Sequence, residues 1–435
     1  MIRYSAALEL LESVAKKRLS SDEILPLDQA IGRILACDVL SPEDVPAFDN
    51  SSMDGFAVFS KETESASSHS PIDFRVGASI AAGDQKAYLK AAHVSRYQCV
   101  EIMTGAPIPH NGCDAVIKIE DITPTRDASG QVRSIQITQP VQAGTFIRRK
   151  GSDFKRGQKV LAEGMRFQAE HTLACASLGI THVRLKRLPR VAILSTGNEL
   201  VSPSSRHLDP GMIRNSTGPF LVQALRRLGI EAQFYGQDYQ SIGDDPALYQ
   251  RTLLRALEEG AEIVISTGAV SMGKADFVSG VLADLGAKTH FHKVAIKPGK
   301  PILFAELSSP SNRAAFFGVP GNPISTVIGL RFFIEPYIRA LLGLLPETPS
   351  KARLAQTVGE PLSKPKGLRC FYKALTHAGA DGLETRALAE QGSHVVSSLL
   401  EANSWVVLPE DQELEPRLSV DVYPLQSSFE HGVLS

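Results

Sequence analysis

Three lysines, Lys293, Lys297 and Lys300, stand around a Pro-Gly turn in KVAIKPGKP at 293–301. Ammonium groups gathered by a turn suit a phosphate or another tetrahedral oxyanion. A solvated loop also carries lysines, but it does not need Pro298 and Gly299 to set the backbone between them. The tripeptide Ser-Thr-Gly occurs twice, as Ser195-Thr196-Gly197 and as Ser266-Thr267-Gly268, the second continuing through Ser271. Each copy follows a β-branched or aliphatic run, and hydroxyls beside an unhindered glycine backbone can hold an anion. A tight strand-to-helix turn without a ligand is the plainer reading of either copy alone. A third small turn, Pro320-Gly321-Asn322-Pro323, ends another apolar run. Glu199 and Asp276 lie just past the two Ser-Thr-Gly turns, where carboxylates either hold Mg2+ through hard oxygen ligands or cap helices.

Such turns act together only if a scaffold brings them to one edge. From Arg190 the apolar pattern alternates between β and α periods. It predicts strands at 191–194, 231–235, 263–265 and 315–317. Helices are predicted at 219–228, 246–258 and from 324. A helical face of Phe277, Val278, Val281, Leu282 and Leu285 follows the second Ser-Thr-Gly turn. In an open parallel sheet the C-terminal ends of the strands line one crevice, and all three small turns fall at such ends. The expected core is therefore a doubly wound parallel α/β domain over 189–346.

The remaining sequence is expected to be multidomain and β-rich. An N-terminal helix spans 1–19, with residues 1–22 packing on the α/β domain. A short helix is predicted near 27–34. Residues 23–48 and 147–188 read as a small mixed α/β linker domain, with a helix at 169–177 and a strand at 183–185. Residues 49–146 read as a β-rich domain with a polar, mobile loop at 61–70. Residues 347–435 read as a β-barrel-like domain with strands near 352–358, 370–375, 383–387 and 404–407. The charged run Arg148, Arg149, Lys150, Asp153 and Lys155 is as easily a solvated turn as a functional one. The pair His290-x-His292 has no nearby third ligand and reads as structural.

Composition excludes several classes. The chain has 435 residues, 43% hydrophobic and 21% charged, with a formal net charge of −1, so no basic field draws nucleic acid. The five cysteines are scattered, without a C-x-x-C pair, which argues for a reducing, cytoplasmic compartment rather than a disulfide framework or zinc site. The most apolar stretch, 324–345, contains Arg331, Glu335, Pro336 and Arg339 and reads as a core helix, not a membrane span.

Taken together, the motifs FDNSSMDGFAV at 48–58, IMTGAPIP at 102–109, IRRKGSD at 147–153, STGNEL at 195–200, ISTGAVSMGKADF at 265–277, KVAIKPGKP at 293–301, GVPGNPIS at 318–325 and QGSH at 391–394 resemble the MoeA family. These are the molybdopterin molybdenumtransferases, which include the E domain of gephyrin. The resemblance runs essentially the full length. It implies an elongated four-domain subunit in a homodimer that inserts molybdate into adenylylated molybdopterin with Mg2+ and releases AMP. It implies that Asp54 and Thr104 face the site from the partner subunit, and that Glu199, Asp244 and Asp276 serve the metal. Lys293, Lys297 and Lys300 would hold oxyanions. Ser195, Thr196, Gly197, Ser266, Thr267, Gly268, Ser271, Pro320, Gly321, Asn322 and Pro323 would shape the binding loops. Arg148 would belong to a basic hinge and Ser393 to the rim. A molybdopterin adenylyltransferase is the implied pathway partner.

The chain departs from the family pattern at four places. Asn198 stands where that pattern has Asp, and Lys274 where an acid is common. Thr267-Gly268-Ala269 replaces Ser-Gly-Gly, and Asn215-Ser216-Thr217 replaces a motif beginning with Asp. Asn is a poorer Mg2+ ligand than a carboxylate, which leaves open a non-catalytic cofactor-binding or scaffold paralogue. A molybdopterin adenylyltransferase is the third reading, although β-rich domains flanking the α/β core argue against it.

Overall fold

The computed structural model describes residues 1–91, 93–110, 112–268, 277–308, 313–355, 362, 364–413 and 418–427. Ser271, Lys274, Asp276 and the end of the strand expected at 352–358 lie outside the described residues. The chain divides into two compact units: residues 1–37, 163–168 and 182–435, and residues 38–162 and 169–181.

The first unit is built on a six-stranded sheet. Its strands are β1 (Val191–Ser195), β2 (Ala232–Phe234), β3 (Ile263–Thr267), β4 (Lys288–His292), β5 (Leu303–Ser308) and β6 (Arg313–Val319), in the order β2-β1-β3-β6-β5-β4. β2, β1, β3 and β6 are parallel, as the β–α alternation predicts. Every residue of β1 and β3 is buried, the signature of a sheet covered on both faces. Successive side chains enter opposite cores. Ile193, Ile265 and Phe317 pack on one side, and Leu194, Val264 and Phe316 on the other.

The expectation of a wholly parallel sheet is corrected at one edge. β5 runs antiparallel to β6 and β4 antiparallel to β5, so β4 and β5 form a hairpin. Leu303, the first residue of β5, lies opposite Gly318 near the end of β6. The hairpin tip, residues 293–302, therefore emerges at the C-terminal edge of the parallel strands. That tip is the lysine-bearing KVAIKPGKP segment.

The helix after β6 is one run of three segments, Pro323–Gly329, a π turn at Leu330–Ile334, and Glu335–Leu341. Pro336 has no N–H and clashes with the carbonyl four residues back, that of Phe332. The π turn absorbs the clash, and the Tyr4 hydroxyl donates to the Phe332 carbonyl at 3.2 Å. Tyr4 opens the N-terminal helix, Tyr4–Lys16, whose Ala7, Leu11 and Val14 are buried in the same core.

The expected helix near 27–34 shrinks to a 3-10 turn, Leu27–Gln29. Long-range pairing overrides it: the Gly32 amide donates to the Phe167 carbonyl and the Leu35 amide to the Met165 carbonyl. Ahead of it, Asp22–Pro26 pairs antiparallel with His182–Lys186. C-terminally, strands Arg369–Gly379, Gly382–Ala387, Ser350–Leu354, Ser419–Pro424 and Ser404–Leu408 pair in sequence, and the first also pairs with the last, closing a small barrel. Among the described residues no helix is long and apolar enough to cross a membrane.

The second unit carries its own six-stranded sheet, including Gly55–Val58, Ile72–Ile80 and Gln98–Ile102, with a seven-residue helix at Gln85–Ala91 and a nine-residue helix at Ala169–Ser177. The loop expected at 61–70 is exposed over most of its length, but three of its residues, Glu62, Thr63 and Ala66, are buried. Ala66 is buried in the sheet's core, and the buried Glu62 carboxylate accepts hydrogen bonds from the Arg96 guanidinium and the Tyr97 amide.

Candidate functional site

β1, β3 and β6 are neighbours, and the three small turns they deliver touch one another. The Thr196 amide donates to the Thr267 carbonyl at 2.9 Å, and the Gly268 amide to the Val319 carbonyl at 3.2 Å. Gly268 has φ +87°, and a Cβ there would lie 2.6 Å from the Thr196 carbonyl oxygen. Only glycine permits both the left-handed backbone and that approach. A Cβ on Gly321 would lie 3.7 Å from the Gly268 Cα. Beneath this surface the hydroxyls are consumed internally. Ser195 Oγ and Thr267 Oγ1 are 2.9 Å apart, and the Tyr249 hydroxyl donates to Ser266 Oγ at 2.8 Å. Ser195 and Thr267 thus stitch β1 to β3, Ser266 ties β3 to the helix Pro246–Glu258, and the edge is made by the residues that follow them.

Above that edge lies a cavity of about 1070 Å³. Thr196, Gly268 and the turn Pro320-Gly321-Asn322-Pro323 form one wall, with Lys297 and Lys300 beside it. Glu199 is the single carboxylate among its described lining residues, so fixed positive charge predominates. Pro323 begins the long helix of 323–341, so the macrodipole adds partial positive charge at that turn. The Glu199 carboxylate lies over Gly197, where a Cβ would come within 2.8 Å of both its oxygens.

Two anchors hold the lysine hairpin. Ile2 brackets its base, donating its amide to the Lys293 carbonyl and accepting from the Ala295 amide. Ile296 and Lys297 pair in parallel register with Arg369 and Cys370, the start of the barrel. That pairing brings a wall that sequence reasoning largely missed: Cys370, Phe371, Tyr372, Leu388, Gln391 and His394 line the cavity with the expected Ser393. Only QGSH signalled it. Cys370, Phe371 and Tyr372 are strand side chains and Leu388 follows a strand end, all placed by pairing across the sequence. Burial pushes the Cys370 thiol above its ordinary range.

Several expected residues lie elsewhere. Lys293 does not line the cavity; it sits at the hairpin base with φ +78°. Asp244 is also not a lining residue, and it pairs with Asn198. Gly197 is buried behind the edge. Asp54 and Thr104, expected to serve the partner subunit's site, and Arg148, expected in a basic hinge, belong to the second unit. There Asp54 Oδ1 accepts from the Thr104 amide at 2.6 Å and its hydroxyl at 2.8 Å, which holds the Asp54 carboxyl below its ordinary range. Arg148 pairs across a two-residue strand with Asn50.

For a divalent cation the described residues offer little: no group of three His, Cys, Asp or Glu side chains converges among them. Magnesium, however, is commonly held by one or two carboxylates plus substrate phosphates and water. Glu199 at the cavity edge fits that mode.

The comparisons with known proteins agree along the whole chain. Residues 2–179 match the MoeA N-terminal region (domain I and II), residues 192–340 a probable molybdopterin binding domain, and residues 356–425 the MoeA C-terminal region (domain IV). The chain is 37% identical over 415 residues to the molybdopterin molybdenumtransferase of Synechococcus elongatus, covering 95% of this chain and 96% of that protein. It is 32% identical to the Bacillus subtilis protein of the same name, covering 89% and 86%. Two structures of the molybdopterin biosynthesis moeA protein of Pyrococcus horikoshii superpose with TM-scores of 0.78 and 0.74 at 29% and 27% identity, covering 98% and 97% of this chain and 100% and 99% of theirs. With matches of this extent over every region that builds the cavity, the chain belongs to the MoeA family of molybdopterin molybdenumtransferases.

Proposed function

We propose that this chain is a molybdenum insertase of molybdenum cofactor biosynthesis. It takes adenylylated molybdopterin and molybdate into the cavity, and AMP leaves as molybdenum passes to the dithiolene. The observation that carries this reading is the emergence of Lys297 and Lys300, on the β4–β5 hairpin, beside the ends of β1, β3 and β6. Molybdate is a dianion and the nucleotide linkage is anionic as well, so positioning and charge stabilisation are most of what the site must supply. Lys297 and Lys300 hold oxyanions. The Pro320–Pro323 turn offers backbone at a helix start. Glu199 would hold Mg2+, which neutralises phosphate charge when bound.

A homodimer belongs to the same proposal, with Asp54 and Thr104 serving the partner subunit's cavity. Mixing Asp54→Ala chains with Lys297→Ala chains should then restore activity that neither variant has alone.

The test is to give the purified protein adenylylated molybdopterin, molybdate and Mg2+, and to follow AMP and molybdenum in the product. Stoichiometric AMP release that needs molybdate supports the insertase. ATP consumption with free molybdopterin would mark an adenylyltransferase instead. Tight binding without turnover at any Mg2+ or Mn2+ level would mark a non-catalytic paralogue.

A further inference from the structure

We propose that Asn215 is a positioning residue for the Glu199 end of the cavity. Its side-chain amide holds a left-handed turn at Asp238-Tyr239, and through that turn it keeps Asp244 on Asn198 and Glu199 at the cavity edge. The consequence for Mg2+ rests on the insertase reading; the tie itself rests on geometry alone.

Asn215 is 1% exposed. It follows Ile213 and Arg214, which pair in parallel with Leu200 and Val201. The Ile213 amide donates to the Glu199 carbonyl and the Asn215 amide to the Val201 carbonyl, both at 2.8 Å. Glu199, Leu200 and Ile213 line the cavity. Asn215 therefore grows from the backbone that is registered on Glu199, and its side chain reaches away in two directions. Oδ1 accepts the Gly218 amide at 3.0 Å and the Thr217 hydroxyl at 3.2 Å, at the start of the helix Thr217–Arg227. Nδ2 donates to the Tyr239 carbonyl at 2.9 Å. The Gly218 N–H can only donate and the Tyr239 carbonyl can only accept, so the orientation of the amide is fixed by its partners.

Asp238 and Tyr239 have φ +46° and +58°. Two successive side chains in the left-handed region persist only where their surroundings hold them. The Ser202 and Ser204 hydroxyls donate to Asp238 Oδ2, which keeps that carboxyl below its ordinary range. The Tyr239 ring packs on Phe234 with centroids 5.2 Å apart. Past the turn, the Ser241 hydroxyl and the Ile242 amide both donate to the carbonyl of Ser195, the last residue of β1, at 3.1 and 2.9 Å. Asp244 then exchanges hydrogen bonds with Asn198. The loop after β2 thus meets the chain on both sides of Glu199, at Ser195 and Asn198 before it and through Asn215 after it. Asn215 is the buried donor that joins the two sides.

The position needs one side chain that accepts and donates at once. Aspartate, the acid of the family pattern, has the same shape and still accepts the Gly218 amide. Its carboxylate would set a second oxygen against the Tyr239 carbonyl in a buried place, leaving that carbonyl unpaired. An aliphatic side chain would leave both the carbonyl and the Gly218 amide without partners. The exchange of acid for amide at 215 is therefore matched to the turn it holds.

The test compares Asn215→Asp, Asn215→Ala and Asp238→Ala with the parent full-length protein. In Asn215→Asp at about pH 8, the half-saturating Mg2+ concentration for AMP release should rise about fivefold or more. Molybdate half-saturation should stay within about twofold, because Lys297 and Lys300 stand on the β4–β5 hairpin. Protonation gives the new carboxyl an O–H that donates to the Tyr239 carbonyl as the amide does, so the defect relative to the parent should shrink as pH is lowered. Asn215→Ala cannot regain a donor and should keep its defect at every pH. The charged residues of the segments packed around position 215 are Arg214, Asp238 and, at the far end of the helix, Arg226 and Arg227. Asp238→Ala, at an exposed position, loosens the same turn from its other side. It should move the Mg2+ midpoint in the same direction by a smaller factor, and it keeps the proposal testable if neither Asn215 variant folds. A ligand-free readout runs beside these: amide hydrogen exchange over 239–244 should quicken in Asn215→Asp relative to the helix Pro246–Glu258. Unchanged exchange there overturns the tie. Quickened exchange with an unchanged Mg2+ midpoint overturns the link to Glu199, and an Asn215→Asp defect that does not vary with pH overturns the donor role. If the parent protein shows no turnover, the insertase reading fails on its own, and the exchange result still decides the role of Asn215.

Discussion

Asn198 and Asp244 exchange two hydrogen bonds: the Asn198 amide donates to Asp244 Oδ2 at 3.3 Å, and the Asp244 amide donates to Asn198 Oδ1 at 3.1 Å. The loop after β1 is thereby tied to the loop before the helix Pro246–Glu258. Asn198 keeps an acceptor for that tie while lacking the charge of an acid. Asn198→Asp should preserve the tie, since its carboxylate still accepts the Asp244 amide, and place a second carboxylate next to Glu199. The half-saturating Mg2+ concentration for AMP release should fall several-fold, at a stability cost within about 1 kcal/mol from like-charge repulsion. A magnesium titration of both proteins decides this; an unchanged midpoint removes residue 198 from metal binding.

Gly268 is the narrowest point of the edge. A methyl group there meets the Thr196 carbonyl oxygen and its hydroxyl at 2.6 and 2.7 Å, on a backbone already at φ +87°. Gly268→Ala should cost about 1–3 kcal/mol from backbone strain alone. It should also push the turns after β1 and β3 apart, so activity falls further than stability. Thermal unfolding and turnover measured together check this; a variant as active as the parent would show that the contact is not needed.

Tyr4 supplies the O–H that satisfies the Phe332 carbonyl, the group Pro336 leaves without its helical partner. Tyr4→Phe keeps the ring and strands that carbonyl in the core. A loss of about 1–2 kcal/mol is expected, read as a lowered Tm with no change in KM.

The Glu262 carboxylate precedes β3 and takes both ends of the Arg187 guanidinium, at 2.7 and 2.9 Å, plus the Arg190 amide at 3.1 Å. Burial alone would raise its pKa, but the Arg187 and Arg190 hydrogen bonds outweigh burial and hold it below the ordinary 4.5. A depressed carboxyl contributes stability that is present above the unfolded pKa and lost as pH falls through the folded one. Glu262→Gln should therefore cost about 1–2 kcal/mol near pH 7. The gap in Tm between variant and parent should narrow as pH is lowered below 4.5. A gap that is constant with pH would mean that the pair's charge contributes nothing.

What could be read in advance follows from what is local. The strands β1, β3 and β6 and the turns after them were legible because a buried parallel strand is a short apolar run and its turn is made of neighbouring residues. The hairpin β4–β5 was not, because Lys288–His292 carries charged and polar residues and its pairing with β5 is fixed across the intervening loop. The chemistry of KVAIKPGKP was visible in its lysines, but its address was not. That depends on Ile2 at one end of the chain and on Arg369 and Cys370 near the other. Ser195, Ser266 and Thr267 show the converse limit. Their types suggested ligands, yet full burial turned their hydroxyls to each other and to Tyr249.

The claim on which the rest depends is that the hairpin lysines grip an oxyanion beside the three strand ends. Equilibrium molybdate binding, with sulfate as competitor, measures it most directly in the parent protein, Lys297→Ala and Lys300→Ala. Both lysines are exposed, so neither change should move Tm appreciably. Saturable molybdate binding that weakens about tenfold or more in each variant is the predicted result, the scale of losing a charge-assisted hydrogen bond. Molybdate binding that is equally tight in all three proteins would contradict it.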